Sequence, residues 1–585
     1  MQTRLTNPIK PRSQLETVGM VVLIPGIIWL AHFWYSASFG LYEDDITIIP
    51  TAIQTKLPDL LKYLGNYIIH LYGHGRPLSD VFVELFSNLT YPIAGLHGLY
   101  FAGFTVLSLN AILFYLLLKR VASPAFAITG ALAYCLFAAD TTEPYVIAAL
   151  GLHPSITFLL LAAHAYLSGK RVLSYFIILG TIFCYETAYL VFMAVPLLEA
   201  LWDRAWRKRL VRHAIIVIAI LGLVIFLRSF SSEARVSGLG LKDLLTTPIT
   251  HSIIGPVVAM GSYLYRPIQA LRAINLEIAL AVIGSFAAFG LVLSRLQWDS
   301  LGVKENLWGG IKSKSARDWI SAIRKWNWPP GLPVALKPLA RLGLSGLVML
   351  VLAYPLTFTI RPYAITGRDT RVHLAAVVGA TILLTSLIAF LFYIARSLNA
   401  KKALVWACAA FLALLVGFGF VVQKEYSQAW ADQRAFWTAL LPQIQDMTNG
   451  TVILADPKGL GNTKQAGGNT WNMPRVLNQI YTFPAEWKTP PRVFRLEPGW
   501  EKNLVNDQGL FKLDASTTMA PPSLYTTAKS TDVILFDSGG RKLTRQTGPL
   551  TIDGKTYPLK APSAQSNPGF KKGFLYDYLI DTSQK

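Results

Sequence analysis

Three consecutive carboxylates, Glu43, Asp44 and Asp45, give the strongest chemical signal in this sequence. They follow the first long apolar stretch, and no basic neighbour in the sequence offsets their mutual repulsion. In a site with little water, burial raises the pKa of a carboxylate into the range where it can accept a proton from a hydroxyl. The triplet therefore predicts general-base chemistry, with one carboxylate as the base and its neighbours orienting it or the acceptor. The alternative is a loop whose acids only keep it solvated.

Two groups of basic residues are suited to an anionic ligand. His74 and Arg76 lie in the loop that carries the triplet, whereas Arg361, Arg368 and Arg371 crowd a later turn between two apolar segments. A guanidinium fork matches phosphate oxygens, and a histidine can donate to the same group. Both groups predict a site for a lipid-linked phosphate or pyrophosphate. The alternatives are a turn between surface helices for the first group, and phospholipid headgroups for the second.

Three further ionisable residues lie at or near the ends of predicted helices: Glu143, His153 and Glu186. Charge at membrane depth is costly, so Glu186 is a functional candidate. Glu143, just before a proline, fits either a site or the N-terminal charge of a helix. His153 lies within an apolar helix, where a histidine bonded inside the core is the alternative.

The Gly-rich segment 459–468 lacks the Gly-Lys-Ser/Thr ending of a P-loop and does not match the dinucleotide-binding pattern. It is predicted to be a surface loop. The three cysteines show no metal-binding spacing and no disulfide framework.

The composition requires that these residues be positioned by membrane helices. Hydrophobic residues make up 53% of the 585-residue chain and charged residues 15%, whereas a soluble protein carries about a quarter charged residues. The net charge of +21 does not indicate nucleic-acid binding. Of the 35 Lys and Arg before residue 423, 24 fall on one side of the predicted membrane topology and 11 on the other. This bias follows the positive-inside rule.

Segments of about 20 apolar residues are long enough to cross a bilayer as helices. Residues 172–201 are predicted to be a pair of short helices, because basic residues of the inner side flank both ends. Segments 38–94 and 231–275 are predicted to hold helices on the outer surface. The predicted spans, about eleven with the N-terminus inside, are 17–37, 95–118, 122–139, 144–168, the pair in 172–201, 213–230, 276–296, 342–360, 372–396 and 403–422.

Residues 423–585 are more polar and carry mixed helix and strand patterns. Helices are predicted at 426–447 and 473–481, strands at 451–455 and 532–536, and a hairpin at 549–557. The predicted fold is mainly α: a polytopic membrane helix bundle with surface helices in residues 1–422, and a small α/β domain in residues 423–585. An odd number of spans places this domain outside the cytoplasm.

The order of these features resembles the GT-C superfamily of multi-spanning glycosyltransferases. It is most similar to the protein O-mannosyltransferase-like branch, over about residues 15–200. No TPR repeats of the kind that some members carry follow, and residues 423–585 resemble no family. Four short elements occur in the family's order: Glu43-Asp44-Asp45, Arg76-Pro77-Leu78, Thr142-Glu143-Pro144 and Tyr185-Glu186-Thr187. The third has Pro where the family has Ala in Thr-Glu-Ala, and the fourth has Tyr where the family has Lys in Lys-Glu-Thr.

The resemblance implies transfer of a sugar from a polyprenyl-phosphate donor to an acceptor hydroxyl on the outer face of the membrane, with inversion. Asp44 or Asp45, beside Glu43, would deprotonate the acceptor. The implied phosphate ligands are Arg76, His74, Arg368, Arg371 and Arg361, and the implied residues of the sugar or acceptor pocket are Glu143, His153 and Glu186.

No cofactor is required by this reading, and a divalent metal is compatible with it but not implied. The expected partners are the donor, membrane lipids and a protein, glycan or lipid acceptor, without nucleic acid. A bacterial inner membrane is the expected location, with the endoplasmic reticulum as the alternative. The competing functions are a glycan polymerase or ligase, a flippase for lipid-linked oligosaccharides, and a non-catalytic membrane scaffold.

Overall fold

A computed structural model describes residues 11–70, 75–200, 202–229, 240–296, 336–358, 360–397, 400–456, 462–468, 470–537, 543–563 and 570–580. It is mainly helical, with a small strand-containing region near the C-terminus. Nine helices within the described residues are long and apolar enough to cross a membrane. The chain is therefore a multi-pass membrane protein, as its composition predicts.

The helices before residue 201 are α1 (Pro11–Ile28), α2 (Asp45–Gln54), α3 (Leu57–Ile69), α4 (Pro77–Ala94), α5 (Leu96–Val121), α6 (Pro124–Cys135), α7 (Pro154–Leu167) and α8 (Arg171–Tyr185). Those that follow are α9 (Arg204–Arg228), α10 (Leu241–Arg272), α11 (Leu276–Ser294), α12 (Leu336–Leu352), α13 (Ala376–Ser397), α14 (Lys401–Leu440), α15 (Met473–Ile480) and α16 (Tyr576–Leu579). Short π-helical turns extend α1 and precede α7 at Trp29–Phe33 and Ala148–Leu152.

The segment after α8 folds back along it. Tyr185 has an extended backbone conformation, and a 3-10 helix, Glu186–Leu198, begins directly after it. Because the rings of Tyr175 and Phe192 lie 6.1 Å apart, the two helices run side by side. This agrees with the predicted pair of short helices.

Helix α10 is long and apolar, and its contacts involve several segments of the bundle. Its residues contact Thr357, Ala138 and Ile365, and a Cβ added at Gly417 would contact Ala270 of this helix. Tyr263 of the same helix contacts Ala133 and Thr381 of two neighbouring helices. Because α10 is also one of the nine helices apolar enough to cross a membrane, the surface position predicted for 231–275 stays a prediction.

The opposite end of the bundle gathers the short basic loops. Arg120 and Arg171 line one cleft there with Leu198 and Arg341. The turns that the sequence assigns to one side of the membrane are thus brought together.

The C-terminal region contains a four-stranded sheet in the order β3-β1-β6-β7. Strands β3, β1 and β6 are parallel, and β7 is antiparallel to β6. One face of β1 packs on the core shared with the helix bundle, and its other face packs on a second core formed by this region alone. The strands are β1 (Val452–Ala455), β2 (Tyr481–Thr482), β3 (Arg492–Arg495), β4 (Phe511–Leu513), β5 (Thr526–Ala528), β6 (Val533–Asp537), β7 (Thr544–Arg545), β8 (Leu550–Ile552), β9 (Lys555–Tyr557) and β10 (Lys571–Lys572).

Helix α14 runs without interruption through residue 423, where the domain boundary is predicted. The membrane segment and the predicted helix 426–447 are therefore one helix as far as Leu440. The sheet region continues from the end of this helix and lies against the end of the bundle that carries the triplet, where Gln479 contacts Gln54 and Tyr578 contacts Tyr91.

Candidate active site

Glu43 and Asp44 lie in the turn between the first membrane helix and α2, and Asp45 is the first residue of α2. The phenol of Tyr42, fully buried, donates to the backbone carbonyl of Tyr426 over 2.9 Å and fixes the turn against α14. Glu43 has a φ of 48°, a left-handed conformation that is uncommon outside glycine and is often found at functional sites. This backbone geometry allows the three side chains to diverge.

Asp44 is the carboxylate of the triplet with the most open side chain, at 35% exposure. Its Oδ2 accepts a hydrogen bond from Arg368 over 3.0 Å. Its Oδ1 accepts from the indole of Trp471 over 3.1 Å and from the amide of Asn472 over 2.6 Å. Arg368 of the helix bundle and Trp471 and Asn472 of the C-terminal region thus meet at this carboxylate.

Glu43 is buried beside it and shares the same guanidinium. Its Oε2 lies 2.8 Å from Arg368, and its Oε1 accepts from the hydroxyl of Tyr145 over 3.0 Å. Burial raises the pKa of Glu43, and the positive charge of Arg368 works in the opposite direction. Burial also opposes the charge on Arg368, but Glu43 and Asp44 together raise the pKa of that guanidinium.

Asp45 is fully buried and faces the start of the fourth membrane segment. It accepts hydrogen bonds from the backbone N–H groups of Val146 and Ile147 over 3.2 and 3.0 Å. Burial raises its pKa to about 7, although these bonds favour the ionised form. Asp45 therefore ties the start of α2 to the segment that precedes α7.

Arg368 and Arg371 come from one 3-10 turn, Arg368–His373, after Gly367 with a φ of 74°. Both line a cavity of about 290 Å³ with Asp44. Burial, and after it the charge of Arg368, lowers the pKa of Arg371. The buried Nε of Arg371 has no hydrogen-bond partner in the part of the chain that the structure describes. A donor of this kind is suited to an anionic ligand.

The Gly-rich loop belongs to this site, so its prediction as a surface loop is wrong for the described residues 462–468. The Gln465 side chain accepts from Thr141 over 2.8 Å and from the backbone N–H of Gly367 over 3.2 Å. A Cβ at Gly467 would lie 2.9 Å from Oε1 of Glu43. Residues 462–468 follow strand β1 in the sequence, and the carboxyl ends of parallel strands are where ligands commonly bind in α/β sheets.

Arg76 and Glu186 form a separate ion pair. The Arg76 Nε donates to Glu186 over 2.7 Å, and Arg228 lies 3.8 Å from the same carboxylate. The guanidinium of Arg76 also lies 4.7 Å from the ring of Tyr185. Among the described residues that line the cavity of the triplet, the arginines are Arg368 and Arg371 rather than Arg76.

Glu143 and His153 line a second cavity, of about 420 Å³, together with His32 and Asp140. The neighbouring Thr142 lines the first cavity instead, so adjacent residues point into different spaces. Burial, and after it Asp140, raises the pKa of Glu143.

Two other predicted ligands are not placed at the site. Arg361 is exposed and lies 6.0 Å from the ring of Tyr363. His74 lies outside the described residues.

Sequence reasoning missed three residues that bond to the triplet, namely Tyr145, Trp471 and Asn472. It also missed Gln465, which joins Thr141 to the turn that carries Arg368. The only local signal was the Gly-rich loop itself, which was tested against phosphate-binding patterns and not as packing on another segment. Arg368 also lies 4.1 Å from the ring of Trp471, a cation–π contact that neither local sequence predicts.

No protein-family model, curated protein or solved structure matches this chain. Within the described ranges, no group of three or more His, Cys, Asp or Glu side chains is arranged to hold a metal ion. The site itself offers a half-open carboxylate and two guanidiniums that line one small cavity.

Proposed function

We propose that this protein is an inverting glycosyltransferase that takes its sugar from a polyprenyl-phosphate donor. The observation that carries the proposal is the position of Asp44, 3.0 Å from Arg368 and on the same cavity as Arg371. A base next to paired cations fits a reaction in which a hydroxyl loses a proton while a phosphate leaves.

In the proposed step, Asp44 takes the proton of the acceptor hydroxyl as its oxygen bonds to the anomeric carbon. The bond from that carbon to the phosphate oxygen breaks, and its electron pair leaves with the polyprenyl phosphate. Arg368 and Arg371 stabilise the charge that grows on the departing phosphate. A single displacement inverts the anomeric configuration.

Asp44 suits the role of base better than its neighbours. Asp45 is fully buried and bonded to backbone N–H groups, and Glu43 is buried between Arg368 and Tyr145. The carboxylate of Asp44 is the one an acceptor can reach. Glu43 then holds Arg368 in place, and Asp45 positions the turn.

We further propose eleven membrane crossings. The Arg171–Leu198 segment folds back and counts twice, and the shorter helices α6 and α12 each add one crossing to the nine apolar helices. Helix α10, predicted to lie on the outer surface, is not counted. The basic loops at the opposite end favour a cytoplasmic location for that end. A reporter fused after the last residue should then be detected outside, and a cytoplasmic signal would contradict this orientation.

The C-terminal region takes part in the proposed reaction, because Trp471 and Asn472 reach Asp44. The expected acceptor is a protein, glycan or lipid hydroxyl outside the cytoplasm, and the expected location is a bacterial inner membrane. Six predicted site residues have no assigned step in this mechanism: His74, Arg76, Arg361, Glu143, His153 and Glu186.

The test is the isosteric variant Asp44→Asn, with Asp59→Asn as a matched control on an exposed part of α3. Transfer of labelled sugar from polyprenyl phosphate is measured with purified protein whose folding is checked by thermal unfolding. Loss of a general base lowers the rate by about 10²–10⁴-fold, whereas the control should transfer normally. Normal transfer by folded Asp44→Asn would eliminate the proposal.

A further inference from the structure

A basic cleft lies at the end of the bundle opposite the candidate active site. It opens over about 1030 Å³ where the ends of α5, α7 and the 3-10 helix Glu186–Leu198 meet the beginnings of α8, α9 and α12. Its charged lining consists of four arginines and two carboxylates: Arg120, Arg171, Arg209, Arg341, Glu199 and Asp203. Two positive charges are therefore left over.

The most deeply placed of these cations is Arg341. Its residue is 9% exposed, and its two terminal nitrogens donate to the carbonyls of Ala200 and Val121 over 2.8 and 3.3 Å. Its buried Nε has no hydrogen-bond partner among the residues that the structure describes. Carbonyl contacts do not neutralise a guanidinium, so a buried charge of this kind favours an anion close by.

The two carboxylates are already engaged. Glu199 pairs with Arg209 over 2.9 Å, and Asp203 caps α9 by accepting from the backbone N–H of Trp206 over 2.6 Å. Arg171 stands at the mouth of the cleft with its guanidinium 5.6 Å from the ring of Tyr166. Arg120 donates to the carbonyls of His164 and Leu167 and to the hydroxyl of Ser168. Arg120, Arg171 and Arg341 are thus the cations that a ligand can reach without displacing a carboxylate of the cleft.

Apolar side chains continue from the mouth of the cleft along the helix surfaces. Val172 and Phe176 of α8 are 71% and 68% exposed, and Val211 and Ile215 of α9 are 58% and 62% exposed. In a membrane protein such surfaces face acyl chains. An anionic group bound in the cleft would therefore have hydrocarbon beside it.

We propose that this cleft binds the phosphate of an anionic phospholipid headgroup, with its acyl chains along α8 and α9. Basic pockets between membrane helices on the cytoplasmic side are suited to such headgroups. Because the cleft joins the ends of several helices, the bound lipid stabilises the bundle. This site does not depend on the proposed glycosyl transfer.

The test uses full-length protein, delipidated in detergent, and follows its thermal unfolding during titration. Three probes are compared: a short-chain phosphatidylglycerol, the matching phosphatidylcholine, and inorganic phosphate. Phosphatidylglycerol should raise the unfolding temperature at concentrations where phosphatidylcholine has a much smaller effect. An equal effect of both lipids would contradict the proposal. A full effect of inorganic phosphate alone would make the cleft a free-phosphate site and overturn the lipid assignment.

Arg171→Gln tests the residue, with Arg295→Gln as the control on an exposed arginine at the end of α11 that is absent from the cleft. Losing a charge-assisted hydrogen bond should weaken phosphatidylglycerol binding about tenfold, and Arg171→Lys should recover part of it. Unchanged binding by Arg171→Gln would refute the site. Should that variant not fold, native mass spectrometry of the wild type decides. Retained anionic lipid supports the site, and the absence of retained anionic lipid contradicts it.

Discussion

Removing the guanidinium of Arg368 is the most informative perturbation of the candidate active site. Arg368→Gln leaves Glu43 and Asp44, at 2.8 and 3.0 Å from the lost nitrogen, without their counter-ion. Breaking a buried pair costs about 3–5 kcal/mol. The half-open Asp44 adds at most about 1 kcal/mol because solvent screens it. Since both acids share one guanidinium, the two effects are not fully additive, and we expect a total loss of about 3–5 kcal/mol.

The assay is thermal unfolding of purified protein, followed by sugar transfer from the polyprenyl-phosphate donor. Arg361→Gln is the control, because Arg361 lies in the same loop but is exposed. Transfer by Arg368→Gln should fall about 10²–10³-fold, as expected when a donor to a developing anion is removed. The double variant with Glu43→Gln should recover part of the stability, since one stranded charge is gone. If Arg368→Gln unfolds at the same temperature as Arg361→Gln, the electrostatic account of the site is wrong.

Two other predictions concern the packing and the protonation of the triplet. Gly467→Ala should destabilise the protein by about 1–3 kcal/mol and slow transfer, because its Cβ would press on Glu43. Gly548 has open space around it, so Gly548→Ala should change neither the stability nor the rate of transfer in the same assays. For Asp45, burial raises the pKa from 3.8 to about 7, so the folded state holds this proton more tightly than the unfolded state. Its contribution to stability is therefore complete below pH ~4 and is lost as the pH rises to ~7. Unfolding temperatures measured across this range should fall less for Asp45→Asn, and parallel profiles would show that Asp45 is not the titrating group.

The helices and strands could be predicted because hydrophobicity and turn residues act locally. The apolar spans and the strands at Val452–Ala455 and Val533–Asp537 lie close to their predicted positions. The span predicted at 342–360 is an exception, because α12 ends at Leu352. Its apolar composition continues beyond that point, but Pro355 disfavours helix in the residue before it.

The domain boundary was predicted from a change in composition, which says nothing about helix continuity. No proline interrupts the chain from Lys401 to Leu440, so α14 continues from apolar into polar sequence. Pro442 follows soon after the helix ends. The sequence becomes polar near residue 423, whereas the helix ends only at Leu440.

The contacts of the candidate site could be predicted only in part. The prediction that Asp44 faces guanidinium groups is met by Arg368 and Arg371. The bonds from Trp471 and Asn472 join residues more than 400 positions apart. No periodicity or motif in either segment specifies such a pairing, because tertiary packing decides it.

The most direct test of the central claim is a cryo-EM structure with a polyprenyl phosphate bound. The account predicts that the phosphate lies between Arg368 and Arg371. The phosphate oxygen that carries the sugar in the donor should face the carboxylate of Asp44. A phosphate bound elsewhere, with the cavity beside Asp44 empty, would contradict the account.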